Sequence, residues 1–197
     1  MNDVICELCP RYCLIPEGGA GDCRVRVNLG GKLCATTYGR PSAVHIDPME
    51  KKPLYHFRPG TPILSIATAG CNLHCRNCQN WQLSQRGGEE MERIYRAMPT
   101  EVVDVAIDKH CQSIAYTYSE PIIFYEYVYE TAEIAKARGL YNVFVTAAYI
   151  NKAPLRKLCQ VLDATNTDLK AFDDKFYRDN CSGTLKPVLD ALVTFRE

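Results

Sequence analysis

The chain has 197 residues, with 23 Lys plus Arg against 23 Asp plus Glu, and eleven cysteines. Balanced charge argues against nucleic-acid and anionic-membrane partners, and no apolar run is long enough to span a bilayer. An odd cysteine count, with no export signal at the start, predicts a reduced cytoplasmic protein whose clustered cysteines bind metal rather than form disulfides.

The first segment, residues 1–40, is rich in cysteine and glycine and has little material for a core of its own. Its stretch "CRVRVNLGGKLCATTY" alternates apolar and polar residues on either side of Gly30 and Gly31. This pattern predicts a β-hairpin with a two-glycine turn. We therefore expect a small cysteine-rich hairpin module over residues 1–40.

Four cysteines of this module have the spacing C-x2-C-x3-C-x9-C and form a candidate second metal site. They are Cys6, Cys9, Cys13 and Cys23. Four thiolates fit a closed tetrahedral zinc site, and they equally fit an auxiliary iron–sulfur cluster. The sequence leaves both metals open, and scattered reduced thiols are the weaker alternative because three of the four lie within eight positions.

Residues 41–62 contain five prolines and no clean period, which indicates a connector lying across a larger domain. His45 and His56 lie in this connector together with Asp47 and Glu50. A metal site is conceivable there, but packing of the connector over the mouth of the larger domain is the preferred interpretation.

From residue 63 to 197 the pattern alternates between strands and helices. Apolar runs predict strands at 63–69, 113–118 and 140–147, and a further short strand is expected within residues 163–172. Helical periods predict helices at 99–110, 120–139, 151–162 and 184–196. Four βα units of this kind predict an α/β fold, a partial (βα) barrel with parallel strands. Its functional groups are expected at the carboxyl ends of those strands.

A loop with three cysteines follows the first of these strands. Cys71, Cys75 and Cys78 have the spacing C-x3-C-x2-C. A 4Fe-4S cluster has four iron corners, so three thiolates leave one iron open to a small-molecule chelate. The alternatives are a zinc site with a borrowed fourth ligand and a set of buried structural thiols.

This loop resembles the signature of radical S-adenosylmethionine (SAM) enzymes. The motifs "CELCPRYC", "YGRPSAVHIDPMEKKPLYHFRPG", "GCNLHCRNCQNWQLSQ", "YTYSEP" and "DLKAF" together resemble the radical SAM component of the AmmeMemoRadiSam system, a relative of pyruvate formate-lyase activating enzymes. The resemblance implies an oxidoreductase with a 4Fe-4S cluster that cleaves SAM reductively to methionine and a 5'-deoxyadenosyl radical. That radical would take a hydrogen atom from an unidentified protein or small-molecule substrate.

The resemblance also implies an electron donor similar to flavodoxin or ferredoxin. Two alternatives accompany it: an activase for a glycyl-radical enzyme, and a cluster-binding protein without catalysis. Radical SAM cores resembling this one have six βα units, whereas four are predicted here. We therefore expect a C-terminally truncated core whose fourth strand has an unpaired edge.

Further candidate SAM-binding residues follow from the resemblance, at the ends of the later strands. Ser119 and Glu120 occupy the position that receives the SAM amino group, and Thr146 stands where relatives read Thr-Asn-Gly. Asp168 and Lys170 match an Asp-x-Lys segment near SAM. The alternatives are a helix-dipole role for Glu120 and a surface salt bridge between Asp168 and Lys170.

Polar residues of the cysteine loop are candidates for hydrogen bonds to cluster sulfurs or to SAM. They are Asn72, His74, Asn77 and Gln79. The remaining cysteines belong to no motif, and the last three of them are expected to be ordinary, mostly buried residues. They are Cys34, Cys111, Cys159 and Cys181.

Overall fold

The computed structural model describes residues 2–197. Within that range the strands are β1 (Val4–Ile5), β2 (Leu14–Ile15), β3 (Arg26–Leu29), β4 (Lys32–Ala35), β5 (Ala43–Pro48), β6 (Pro62–Ala67), β7 (Ser113–Tyr116), β8 (Tyr141–Thr146) and β9 (Ala164–Thr167). The α-helices are α1 (Trp81–Ser84), α2 (Pro99–Asp108), α3 (Tyr125–Ala137), α4 (Lys152–Cys159), α5 (Asp174–Phe176) and α6 (Leu185–Arg196). No described helix is both long and apolar enough to cross a membrane.

The main sheet has five strands in the order β5-β6-β7-β8-β9. Strands β6 to β9 are parallel, and β5 pairs antiparallel with β6 along one edge. All four residues of β7 are buried, as expected for a parallel strand covered on both faces. The predicted α/β fold with four parallel βα units, a partial barrel, is confirmed.

The two faces of this sheet have different partners. Leu64, Ile114 and Phe144 pack with the buried residues of the helices in the main core cluster. On the opposite face, here called the inner face, Ile63 packs in a smaller cluster with Ala115, Val143 and Met49. The alternation of side chains along each strand thus separates a helix-covered face from a face that lines a cavity.

The predicted hairpin is present as β3 and β4, with Val27 opposite Cys34. Gly30 and Gly31 form its turn with φ of 62° and 78°, a left-handed conformation that glycine adopts without a steric cost. The structure adds a second pairing, β1 with β2, that the sequence did not predict. Strands of two residues are too short to show a period, so pattern analysis had no signal there.

The connector differs from expectation, because residues 43–48 form the edge strand β5. Its last residue, Pro48, pairs with Pro62 at the start of β6. Proline is tolerated at strand ends and sheet edges, where its missing N–H leaves no ladder bond unmade. The prolines that suggested an irregular connector therefore flank a strand. A 3-10 turn, Met49–Lys51, follows β5.

Candidate functional site

A cavity of about 660 Å³ lies at the carboxyl ends of the parallel strands and along the inner face of the sheet. It brings together the predicted site residues of the core, which come from segments after β6, after β7, at the end of β8 and after β9. These residues are Cys71, Cys75, Cys78, Ser119, Glu120, Thr146, Asp168 and Lys170. Residues separated by almost 100 positions in sequence thus line one space.

The cysteine loop alternates between two faces, as an extended chain does. Cys71, Leu73 and Cys75 line the cavity. The residues between them, together with Gly70, contact the N-terminal module or the segments behind the loop, as shown below. The thiols therefore point into the cavity while the intervening residues hold the loop from behind.

Gly70 lies against the backbone of the N-terminal module. It has φ of 97°, and a Cβ built on it would lie 2.7 Å from the carbonyl oxygen of Cys23 and 2.9 Å from Val25. Only glycine combines this conformation with so close an approach of two backbones. The first residue of the loop is thus fixed by the module that carries the N-terminal cysteines.

Asn72 is 1% exposed and faces away from the cavity. Its side-chain Nδ2 donates to the carbonyl oxygen of Tyr149 at 2.8 Å, and its backbone carbonyl oxygen accepts from Arg11 Nε at 2.6 Å. Arg11 Nη2 also donates to the carbonyl of Ser182 at 2.5 Å. Arg11 therefore joins the cysteine loop to the turn that precedes α6.

His74 also faces the N-terminal module. Its Nε2 lies 2.7 Å from Asp22 Oδ2, and its Nδ1 lies 2.7 Å from Gln85 Oε1. Of the four polar loop residues expected near the cluster or SAM, Asn77 and Gln79 line the cavity. The other two, Asn72 and His74, lie behind the loop.

Two of the three cavity thiols are held in environments that disfavour a free thiolate. Burial raises the pKa of Cys71 far above its usual range, and it raises the pKa of Cys75 to about 12 with a further contribution from Cys181. Cys78 Sγ lies 3.2 Å from Ser84 Oγ in α1. A coordinated metal ion supplies the positive charge that deprotonates such thiols.

Cys181 is a neighbour of the site that the sequence did not reveal. It is fully buried in a π-helical turn, Tyr177–Cys181, and its thiol contributes to raising the pKa of Cys75. The backbone N–H of His74 donates to the carbonyl of Cys181 at 2.9 Å. Its burial was predicted, but its contact with the loop was not, because nothing in local spacing relates the two segments.

Glu120 is 2% exposed, and its carboxylate already has partners within the chain. Oε1 accepts from Thr146 Oγ1 at 2.5 Å and from the N–H of Ile122 at 3.2 Å, and Oε2 accepts from the N–H of Ala147 at 2.8 Å. Burial raises its pKa to about 7 against these hydrogen bonds, which lower it. A carboxylate offers about four acceptor positions, so one is left unfilled in a residue that lines the cavity.

The other predicted SAM-binding residues also have partners of their own. Ser119 Oγ donates to the carbonyl of Thr68 at 2.7 Å, which ties the end of β7 to the end of β6. Lys170 Nζ donates to Asp168 Oδ2 at 2.8 Å. The salt bridge considered from sequence therefore exists, and both of its members line the cavity as well.

The four N-terminal cysteines line a separate cavity of about 20 Å³ beneath the cysteine loop, next to Asn72. This is room for about one water-sized sphere. Among residues 2–197, no group of three or more His, Cys, Asp or Glu side chains is arranged to hold a metal ion. The four thiols are thus gathered around one space without a preformed ion site, and metal binding there stays a prediction.

A family model named Radical SAM superfamily matches residues 65–197, more than half of the chain. The chain belongs to the radical SAM superfamily. The match begins within β6 and includes the cysteine loop and the ends of all four parallel strands, so it covers the wall of the cavity that carries the predicted site residues. Family membership places the chain in a family of enzymes and agrees with the predicted fold class.

The chain is also similar to MJ0808, an uncharacterized protein of Methanocaldococcus jannaschii, with 47% identity over 190 residues. This match covers 96% of the chain and 56% of that relative, so the chain spans little more than half of the relative's length.

Two solved structures are similar at low sequence identity. One is TYW1 with a lysine-pyruvate adduct bound, with a TM-score of 0.48 and 16% identity, covering 80% of this chain and 60% of that one. The other is QueE from Escherichia coli, with a TM-score of 0.39 and 11% identity, covering 55% and 52%.

Proposed function

We propose that the protein is a radical SAM enzyme that holds a 4Fe-4S cluster on Cys71, Cys75 and Cys78 and cleaves SAM for hydrogen abstraction from a substrate. One observation carries the proposal: the three thiols share a single cavity with side chains from the ends of all four parallel strands. The observed family membership supports it.

The donor set of the cavity fits the cluster. Each cysteine of a four-iron cluster binds a different iron atom, so the thiols need not converge on one point as the ligands of a single zinc ion do. Within the described residues the cavity lining contains three cysteines, which leaves one iron corner for a ligand from SAM. When bound, the reduced cluster supplies the electron that cleaves the sulfonium of SAM and yields the 5'-deoxyadenosyl radical.

The chain's own residues would orient SAM and keep its surroundings fixed. We assign the amino group of SAM to the free acceptor position of Glu120, with Ser119 and Thr146 holding the strand ends in place. Asp168 and Lys170 form a salt bridge on another part of the cavity wall. Such a pair can bind polar groups of SAM or substrate without adding net charge.

The substrate, the electron donor and the location in the cell belong to the proposal. We propose a donor of the flavodoxin or ferredoxin type and a cytoplasmic protein related to the AmmeMemoRadiSam radical SAM component, with zinc or a second cluster at the N-terminal cysteines. The competing functions are activation of a glycyl-radical enzyme and cluster binding without catalysis. Detection of a glycyl radical in a candidate partner protein would favour the activase.

The test is anaerobic reconstitution of the full chain with iron and sulfide, followed by reductant and SAM. We expect 5'-deoxyadenosine and methionine from the wild type, and neither product nor a SAM-dependent change in the cluster spectrum from Cys71→Ser, Cys75→Ser or Cys78→Ser. Cys34→Ser, at an exposed cysteine in β4, is the matched control and should behave as wild type. A wild type that holds the cluster but shows no spectral change with SAM would refute SAM chemistry and leave cluster binding alone.

A further inference from the structure

A buried ionic network near the cavity has no part in the function proposed above. Asp47 is 5% exposed and Lys52 is 1% exposed. Asp47 Oδ2 accepts from Lys52 Nζ at 2.7 Å, from Ser65 Oγ at 2.8 Å and from the hydroxyl of Tyr118. Asp47 Oδ1 accepts from Lys51 Nζ at 2.8 Å. A single carboxylate thus serves four donors, two of which are ammonium groups.

This network lies on the inner face of the sheet, between the amino end of β6 and Tyr118, which follows β7. Because β5 is antiparallel to β6, its last residue lies beside the first residue of β6. The turn Met49–Lys51 follows directly, and Met49 is fully buried against Ile63 and its neighbours on the inner face. Lys51 of this turn nevertheless lines the same cavity as the three cysteines. The cavity therefore extends from the cysteine loop to Lys51.

The charges in the cavity wall do not cancel at this end. Asp168 and Lys170 neutralise each other, whereas Asp47 carries one negative charge against the two positive charges of Lys51 and Lys52. Lys52 is buried, so Lys51, with 59% of its side chain exposed, is the member of the trio able to meet a ligand. An oxyanion placed there would complete the pairing.

Tyr118 connects this end of the cavity to the cysteine loop. Its ring lies 4.5 Å from Lys52 Nζ and its φ is 62°, an unusual conformation for a residue other than glycine. Its carbonyl accepts from Nδ2 of Asn80, two residues after Cys78, at 2.8 Å. Tyr118 thus fixes the distance between the trio of Asp47, Lys51 and Lys52 and the cysteine loop. A site that binds both ends of one substrate requires such a fixed distance.

We propose that Lys51 binds an oxyanion of the substrate, a carboxylate or a phosphate, while the carbon that loses hydrogen lies toward the cysteine loop. This inference rests on the proposed function and adds the substrate class: an anionic molecule that spans the cavity. Asp47, Lys52 and Tyr118 are positioning residues that hold the Lys51 ammonium at the cavity wall.

The first experiment measures binding of inorganic phosphate to the full chain prepared without added iron, by calorimetry and at low salt. We expect Lys51→Gln to weaken phosphate binding by roughly tenfold, which corresponds to the loss of one charge-assisted hydrogen bond. Lys51→Arg should keep most of the affinity, and Lys32→Gln, at an exposed lysine of β4, should keep all of it. Wild-type protein that binds no phosphate, or Lys51→Gln that binds it equally well, would overturn the proposal.

The second experiment distinguishes a substrate anion from the carboxylate of SAM. SAM affinity of the reconstituted chain is measured in wild type and Lys51→Gln, and we expect no difference. If Lys51→Gln weakens SAM binding instead, the anion at Lys51 is that of SAM and the substrate proposal is wrong. Because phosphate binding is measured without a cluster, failure of SAM cleavage and failure of this proposal give separate results. Thermal unfolding verifies that the half-exposed Lys51 variants remain folded.

Discussion

His74 Nε2 lies 2.7 Å from Asp22 Oδ2, and this contact joins the loop that carries the cavity thiols to the module that carries the N-terminal cysteines. The same Asp22 oxygen lies 2.8 Å from Arg11 Nε, which also donates to the backbone of the loop. The Asp22 carboxylate thus contacts both Arg11 and His74, which hold the cysteine loop on the side away from the cavity. The order of the loop depends on a segment outside the matched family region.

Replacing Asp22 should loosen the loop more than it unfolds the protein. Asp22→Ala removes a partner of both Arg11 and His74, and since Asp22 is 41% exposed the stability loss should be at most about 1 kcal/mol. We expect lower iron content after reconstitution and faster loss of cluster absorbance in air. Asp3→Ala, at an exposed aspartate of the same module, is the control. Equal cluster lifetimes in the two variants would contradict a positioning role for Asp22.

Gly70→Ala should destabilise the protein more than Gly18→Ala, although both glycines have a left-handed conformation. Gly18 has φ of 74° and open space where a Cβ would lie, so Gly18→Ala should cost only about 1–2 kcal/mol of conformational strain. At Gly70 the new methyl group would overlap the Cys23 carbonyl, which adds roughly 1–3 kcal/mol of overpacking. Chemical denaturation of both variants measures the difference. Equal losses of stability in the two variants would show that the N-terminal module can move to accommodate the Gly70→Ala methyl group without a free-energy cost.

Asn142 should be a strong determinant of stability because it is fully buried in β8 and bonded on both sides. Its Nδ2 donates to the carbonyls of Ala132 and Val161, each at 3.0 Å, and its Oδ1 accepts from the Tyr116 hydroxyl at 3.1 Å. Asn142→Ala should cost roughly 2–4 kcal/mol. Tyr116→Phe removes one of these bonds and should cost about 1 kcal/mol. Urea unfolding measures the free energy of unfolding of both variants. A smaller loss of stability for Asn142→Ala than for Tyr116→Phe would contradict the prediction.

Glu120 should make the stability of the iron-free chain depend on pH. Its folded pKa of about 7 lies above the ordinary value of 4.5, so the folded chain holds this proton more tightly than the unfolded chain. The resulting stabilisation is complete below pH 4.5 and is lost as pH rises through 7, in total about 3 kcal/mol. Glu120→Gln should flatten the unfolding free energy between about pH 5 and 8, and Glu92→Gln, at an exposed position, should not. Parallel profiles for wild type and Glu120→Gln would contradict the assignment.

The N-terminal cysteines should bind metal independently of the cavity thiols. Cys9→Ser combined with Cys13→Ser should lower the metal content of the purified chain, and Cys34→Ser should not. Elemental analysis with sulfide determination distinguishes about one zinc ion per chain from additional iron and sulfide. Metal content unchanged by the double substitution would show that these thiols are structural.

The sequence predicted the parallel strands, the hairpin and the position of the cysteine loop, because each has a local signal. Buried parallel strands such as β7 are short apolar runs, and the Gly30–Gly31 turn is a local conformational requirement. Residues placed at strand ends, such as Glu120 and Lys170, share the cavity because parallel strands bring their carboxyl ends to one side.

The features that the sequence did not predict depend on contacts between distant segments. Asp22 meets His74 across 52 positions, and Asp47 meets Tyr118 across 71. No periodicity encodes such pairs, because they follow from how the N-terminal module and β5 dock on the core. The prolines around β5 also concealed a strand, since their effect depends on whether the strand lies at an edge.

The alternating faces of the loop between Gly70 and Cys75 have a consequence for how this protein can vary. Substrate preference can change through residues that face the cavity, while the contacts of Gly70, Asn72 and His74 remain as they are. A library that randomises the exposed cavity-lining position Asn77 should therefore yield folded proteins with altered selectivity. The same library at Asn72 should yield proteins that differ in how long they survive exposure to oxygen.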